Sequence, residues 1–234
     1  MTKILALDTS SEACSVALYL DAEVRESFEL VPRQHTQRVL PMIESLLSEA
    51  GLELTDLDAI GFGAGPGSFT GLRITAGVAQ GLALGAELPL LPISTLAALA
   101  EEARLDCAAE YVLVALDARM GELYWGAYQV REGRLFALVD EQVSAPENIQ
   151  LPEGVLHSGA NWLGVGPGWN FQDQFPLAVQ QAVSTIEPDR QPRAAAMARL
   201  AALDFEAGKA VAAEAALPVY LRNEITWKKS NHRD

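Results

Sequence analysis

Two apolar runs in this chain each close on an aspartate, pass through a short polar turn, and return as a second apolar run. The first is Lys3-Ile-Leu-Ala-Leu-Asp8, with the turn Thr9-Ser10-Ser11-Glu12 and a return from Cys14 to Leu20. The second is Tyr111 to Leu116 ending in Asp117, with the turn Ala118-Arg119-Met120-Gly121 and a return from Glu122 to Val130. Each pattern predicts an antiparallel hairpin, because apolar runs broken by a tight polar turn can bury themselves only by pairing. Asp117 thus stands where Asp8 stood, and the chain reads as one plan used twice.

The segments between and after the hairpins extend the parallel. Alternation from Asp21 to Leu30 predicts a third strand. From His35 to Ala50 the residues Val39, Leu40, Ile43, Leu46, Leu47 and Ala50 recur at steps of three and four, with Gly51 as the cap, which predicts an amphipathic helix. Pro41 lies in its first turn or marks a kink. A strand from Leu57 to Phe62, a glycine loop, an apolar helix from about Phe69 to Gly85, a strand from Leu88 to Leu91 and a helix from Ser94 to about Arg104 follow. The order is βββαβαβα. After the second hairpin come a third strand near Leu135 to Asp140, a weak helix near Pro146 to Gln150, strands near Val155 to Ser158 and Val183 to Ile186, and a strong helix from Pro192 to Gly208. This is a degraded copy, in which Gly65-Pro66-Gly67 recurs as Gly166-Pro167-Gly168 at a different offset from the acids. The expected organisation is a first lobe over 1–104, a second over 105–217, and a C-terminal segment with a basic tail over 218–234.

Two such units in tandem resemble the α/β plan shared by acetate kinase, sugar kinases, Hsp70 and actin, the ASKHA or RNase H-like superfamily. The resemblance implies two hairpin turns facing each other across a cleft, holding nucleotide phosphates on backbone N–H groups while the acids hold a hydrated metal ion. The candidate cleft residues are Asp8, Thr9, Ser10, Gly65, Gly67, Ser68, Asp117 and Arg119. The competing reading is that both acids cap their hairpins, and spacing does not choose between them.

The string from Gly61 to Arg73, G-F-G-A-G-P-G-S-F-T-G-L-R, lacks the lysine of a Walker A loop and does not fit G-x-G-x-x-G. It leaves either a helix N-terminus with donors from about Ser68 to Gly71 free for an anion, or a tight structural turn. In the helix that follows, Gly77, Gly81 and Gly85 fall four apart on one face, with Arg73 one step before them. Each helical glycine costs about 1 kcal/mol relative to alanine. Close approach must offset that cost, by a helix of another subunit or by packing inside the monomer.

The chain carries 17 Lys and Arg against 31 Asp and Glu, a formal charge of −14, which argues against gripping a polyanion alone. Two cysteines, Cys14 and Cys107, cannot frame a disulfide scaffold, and the N-terminus lacks a basic-then-apolar signal. A cytoplasmic protein is expected. The weakly charged stretch from Ala59 to Ala100 is too broken by proline and glycine for a membrane span. His35, His157 and His232 are scattered, so no zinc or other metal site and no catalytic constellation is expected. His35 opens a helix, where it caps, pairs with a partner, or has no role. Trp125, Trp162, Trp169 and Trp227 read as core or interface. The tail after Tyr220 carries Arg222, Lys228, Lys229 and Arg233 against Glu224 and Asp234.

These residues converge on one family. I-L-A-L-D-T-S-S, His35-T-Q-R-V-L-P-Met42, the glycine string, Asp117-Ala-Arg-x-x-Glu122-x-Tyr124 and Pro218-Val-Tyr-Leu-Arg222 together resemble the bacterial TsaB (YeaZ) family, subunits of the tRNA threonylcarbamoyladenosine machinery. The resemblance implies a non-catalytic, glycoprotease-like paralogue of TsaD. TsaD moves threonylcarbamoyl from its adenylate to N6 of the adenosine next to the anticodon, in tRNAs reading codons that begin with A. Two metal-binding histidines of TsaD correspond here to Thr95 and Leu99, neither of which can supply an imidazole. The resemblance further implies docking on TsaD, or on a second copy in a homodimer, through the first two helices. His35, Val39, Met42, Ile43, Leu46, Arg73, Gly77, Gly81 and Gly85 would form that interface, with TsaE joining the heterodimer. No cofactor is required on this reading, although the cleft leaves room for weak nucleotide binding. An ATP-dependent small-molecule kinase or ATPase using the interlobe cleft is the alternative.

Overall fold

A computed structural model describes residues 2–156 and 159–222. The first hairpin is β1 (Lys3–Asp8) and β2 (Ala13–Leu20), and β3 (Glu23–Leu30) completes an antiparallel meander. Two strands then add in parallel on the far side of β1, namely β4 (Ala59–Gly65) and β5 (Leu90–Ser94), giving the order β3-β2-β1-β4-β5. The crossovers are α1 (His35–Ala50) and α2 (Phe69–Ala86), which cover one face. Alternation along β1 sorts its side chains. Leu5 and Leu7 enter the core under α1 and α2, whereas Ile4 and Ala6 enter the opposite one.

The second sheet repeats the opening. Its strands are β6 (Tyr111–Asp117), β7 (Leu123–Arg131), β8 (Arg134–Ala137), β9 (Gln142–Ser144), β10 (Trp162–Val165) and β11 (Val183–Glu187), in the order β11-β10-β6-β7-β8, with β9 also pairing to β7. The weak helix expected near Pro146 is a single 3-10 turn, Pro146–Asn148, and Val155 closes another, Glu153–Val155. The strand expected near Val155 to Ser158 lies instead at β10, and His157 and Ser158 fall outside the described residues. Where the first copy has a long helix, the second has a 3-10 segment, Pro167–Gln174, and the short α4 (Leu177–Ala182). Large aromatics compensate: Trp125, Trp162 and Trp169 fill this core, and each indole N–H is satisfied, by Ser144 Oγ, Val155 O and Leu113 O respectively. Trp227 lies outside the described residues.

The remaining two helices change partners. The helix α3 (Thr95–Asp106) belongs by sequence to the first unit, yet Leu96, Leu99, Ala100 and Ala103 pack on Val112, Val114, Leu163 and Val165 of the second sheet. The last helix, α5 (Ala194–Glu206), lays Ala194, Met197, Ala198 and Ala201 on Ile4, Ala6 and Ala17 of the first. Its alanines allow close contact, and a Cβ on Gly61 of β4 would stand 2.9 Å from that of Ala201. The N-terminus of α5 has no cap of its own. Ser15 Oγ accepts from the Ala194 N–H (2.9 Å), and Glu26 accepts from the Ala195 N–H (3.0 Å) while pairing with Arg193. Segments 1–104 and 105–217 are therefore two sequence units but not two packing units. The architecture is an α/β fold of two mixed sheets, each opened by an antiparallel hairpin and extended by parallel strands. Among the described residues no helix is long and apolar enough to cross a membrane.

Candidate docking face and interlobe crevice

The first hairpin turn is closed on itself. Asp8, Thr9 and Ser10 are buried, with Asp8 and Thr9 at 0% exposure. The Thr9 N–H donates to Thr75 Oγ1 (2.9 Å) and the Thr9 hydroxyl to Gly71 O (2.8 Å). The Ser10 N–H and hydroxyl both donate to Asp8 Oδ2, at 3.2 and 2.9 Å, and Ser10 O accepts from the Ser68 N–H at 2.8 Å. These are donors that a phosphate would need. Spending them internally makes the turn a structural joint, a correction to the expectation that Asp8, Thr9, Ser10 and Ser68 line an open cleft.

Two glycines of the string are forced by this joint. A Cβ on Gly67 would stand 2.8 Å from Ser10, and one on Gly71 would stand 2.0 Å from Thr9 O. The first turn of α2 is thus pressed against the hairpin, with Ser68 Oγ capping the Gly71 N–H at 3.4 Å. Asp8 Oδ1 has no partner and faces Gly63. Burial pushes the Asp8 carboxyl up to about 7, against the opposing pull of the two bonds from Ser10.

The second turn differs. Asp117 is partly exposed and accepts from the Arg119 N–H (2.7 Å) and guanidinium (3.1 Å), with Arg119 and Met120 both at positive φ on the surface. Here the aspartate caps its hairpin, the simpler of the two roles that spacing left open.

The outward face of α2 carries the expected glycine ridge. Gly77, Gly81 and Gly85 are exposed, and nothing lies within 4 Å of a Cβ built on any of them. Packing among the described residues therefore does not explain the ridge. Leu84 beside it is 66% exposed, and Arg73 at its N-terminal end lies over the Phe69 ring at 3.8 Å. Four residues assigned to the α1 interface are corrected: Val39, Met42, Ile43 and Leu46 are buried in the core against β2. They are the most apolar stripe of α1, and that stripe is spent on the helix's own sheet. Leu40, Pro41, Glu44 and Ser48 are among the exposed residues of α1 instead. His35 is half-buried at the first position, and its Nε2 has no partner. Leu40, Phe69 and Leu84 were missed; one signal was available, since Leu84 follows Gly81 by three residues and so flanks the ridge.

Comparison with known proteins now bears on these features. The family described as TsaD, tRNA N6-adenosine threonylcarbamoyltransferase, matches residues 28–230. A protein of Escherichia coli named tRNA threonylcarbamoyladenosine biosynthesis protein TsaB is 46% identical over 232 residues, which is 97% of each chain. The protein of the same name in Haemophilus influenzae is 43% identical over 242 residues, covering 99% of this chain and 98% of that one. This chain belongs to the TsaB family. Its fold is that of YeaZ from Pseudomonas aeruginosa, with a TM-score of 0.88 at 44% identity over 94% of this chain and all of that one. In this TsaB-family chain Thr95 and Leu99 are fully buried where α3 meets the second sheet. Among the described residues no three His, Cys, Asp or Glu side chains gather as a metal site.

Proposed function

We propose that this chain is a non-catalytic scaffold and activator of threonylcarbamoyladenosine synthesis on tRNA. It docks on TsaD in the cytoplasm through the outward faces of α1 and α2, and TsaE joins that pair. In this role it requires no cofactor and leaves the tRNA to its partners. The threonylcarbamoyl transfer from the adenylate to N6 is TsaD's. The observation that carries the reading is the open glycine ridge. Three helical glycines cost the isolated helix about 3 kcal/mol, nothing among the described residues uses the space, and a partner helix can approach a backbone without side chains. Without a partner, the same surface pairs two copies in a symmetric dimer. The replacement of the TsaD histidines by Thr95 and Leu99, both fully buried and neither able to supply an imidazole, supports the absence of a metal-dependent transfer step.

The test is Gly81→Arg. The side chain meets only solvent in the monomer, so the thermal midpoint is expected to stay unchanged or rise slightly, since arginine is the better helix former. Binding to TsaD, read by calorimetry, is expected to weaken by about 100-fold or more, because a helix seated on the ridge would meet the arginine. Restored tRNA modification by this variant in a reconstituted system, at wild-type subunit concentrations, would remove the ridge from the interface.

A further inference from the structure

The chain downstream of α5 makes a path across both lobes that neither the fold plan nor the docking face requires. It begins on the edge of the first sheet, where Val211 and Leu90 exchange backbone hydrogen bonds at 2.8 Å in each direction. It then follows α2, whose Gln80 amide donates to Ala213 O (3.1 Å) and Ala216 O (2.9 Å). Next it crosses the glycine string: the Val219 N–H donates to Ala64 O at 2.7 Å, and a Cβ on Gly65 would stand 2.8 Å from Val219 O. Gly65, at φ +113, is thus a glycine because the strap lies on it. Tyr220 packs against Phe69 with the rings tilted by 44° and their centroids 5.7 Å apart, and its hydroxyl meets Arg73 Nε at 3.5 Å. Beyond Tyr220 the chain leaves the first lobe. The Arg222 guanidinium pairs with Glu122 and lies 3.8 Å from Met120 Sδ, both in or beside the second hairpin turn.

We infer that residues 217–222 are a clasp that holds the crevice between the two hairpin turns closed. One end is fixed to the first lobe by a backbone bond and an aromatic contact. The other is fixed to the second lobe by a charge-assisted bond whose Arg222 side chain is only 20% exposed. The lobes also share helices, through α3 on the second sheet and α5 on the first. The clasp spans the gap at the turns themselves, where the kinase plan would seat a nucleotide. The protein therefore presents its docking face from one fixed arrangement of lobes and does not open and close around a ligand. This inference concerns the crevice and stands apart from whichever partner occupies α2.

Amide hydrogen exchange on the full chain tests it. In the second turn the Ala118 N–H donates to Glu122 O (2.9 Å) and the Glu122 N–H to Arg119 O (3.1 Å), so both are slow-exchange reporters. Arg222→Ala is expected to speed exchange at these two amides about tenfold or more, with the β1 amides unchanged. The decisive variant is Tyr220→Ala, whose aromatic and hydroxyl contacts are on the first lobe. A clasp transmits that loss, and the second turn again exchanges at least several-fold faster. If Tyr220→Ala leaves Ala118 and Glu122 at wild-type rates, the strap is only a local contact and the inference fails. It fails equally if Arg222→Ala changes nothing, or if either variant accelerates the β1 amides as much as the turn.

Discussion

Gly71→Ala is expected to cost this protein a large part of its folding stability, although it adds one methyl group. The Cβ would stand 2.0 Å from Thr9 O and 3.0 Å from Thr9 C. Neither side can give way. Gly71 lies in the first turn of α2, and Thr9 is held by its N–H and hydroxyl bonds to Thr75 and Gly71. Separating the two breaks these buried bonds and also the Ser68 to Ser10 bond at the edge of the joint. Overpacking costs about 1–3 kcal/mol where side chains can rearrange, and each buried polar group left unsatisfied about 1–3 more. The expected loss is about 4 kcal/mol or more, against a total stability of about 5–15. Urea unfolding measures it, with Gly81→Ala as the control. That position has open space, so removal of a helical glycine should gain up to about 1 kcal/mol. A Gly71→Ala protein that unfolds at the wild-type midpoint would mean that the hairpin turn and α2 are not in contact in solution.

The second large effect is a dependence of stability on pH that runs opposite to the usual salt-bridged carboxylate. In the folded protein the Asp8 carboxyl is pushed up to about 7 by burial, from an ordinary value of 3.8. The native state keeps a proton that the unfolded chain has released. The contribution of Asp8 is therefore fully present below pH 3.8, declines as pH rises through the window between 3.8 and 7, and levels off above it. Across the whole window this amounts to about 4 kcal/mol, and between pH 5 and 8 to about 3. Asp8→Asn carries no such charge and should show a correspondingly flatter profile when unfolding free energies are compared at pH 5 and pH 8. A residual slope of the same sign is expected from Glu102, which burial also raises to about 7 against the pull of Arg190 and Arg193. Parallel profiles for variant and wild type would mean that Asp8 ionises in the folded state as readily as in the unfolded chain.

Asp8 also shows where sequence reading stops. An aspartate ending an apolar strand was legible twice, and both hairpins form as expected. Both accept the N–H two residues on, yet one is buried with an unpartnered oxygen and the other is partly exposed and paired to Arg119. The difference comes from what is laid against each turn: α2 in the first lobe, and solvent in the second. The α1 stripe fails for a related reason. Periodicity locates the apolar face of a helix but not the surface that buries it, so Val39, Met42, Ile43 and Leu46 were assigned to a partner when the sheet beneath already claims them.

The sequence by itself determined the repeated hairpin plan, the boundaries of α1 and α2, the family, and the glycine ridge on α2. Those are properties of local pattern, in which the period of apolar residues and the cost of glycine are set by the chain alone. Only the tertiary structure decided that α3 and α5 exchange sheets, that the first turn is sealed by α2, and that the last described residues cross from one lobe to the other. Each of these joins segments far apart in the sequence, and what chooses them is space. Gly61, Gly65 and Gly71 read alike as letters in one string, but one lies under Ala201, one under Val219 and one against Thr9. No local pattern distinguishes them.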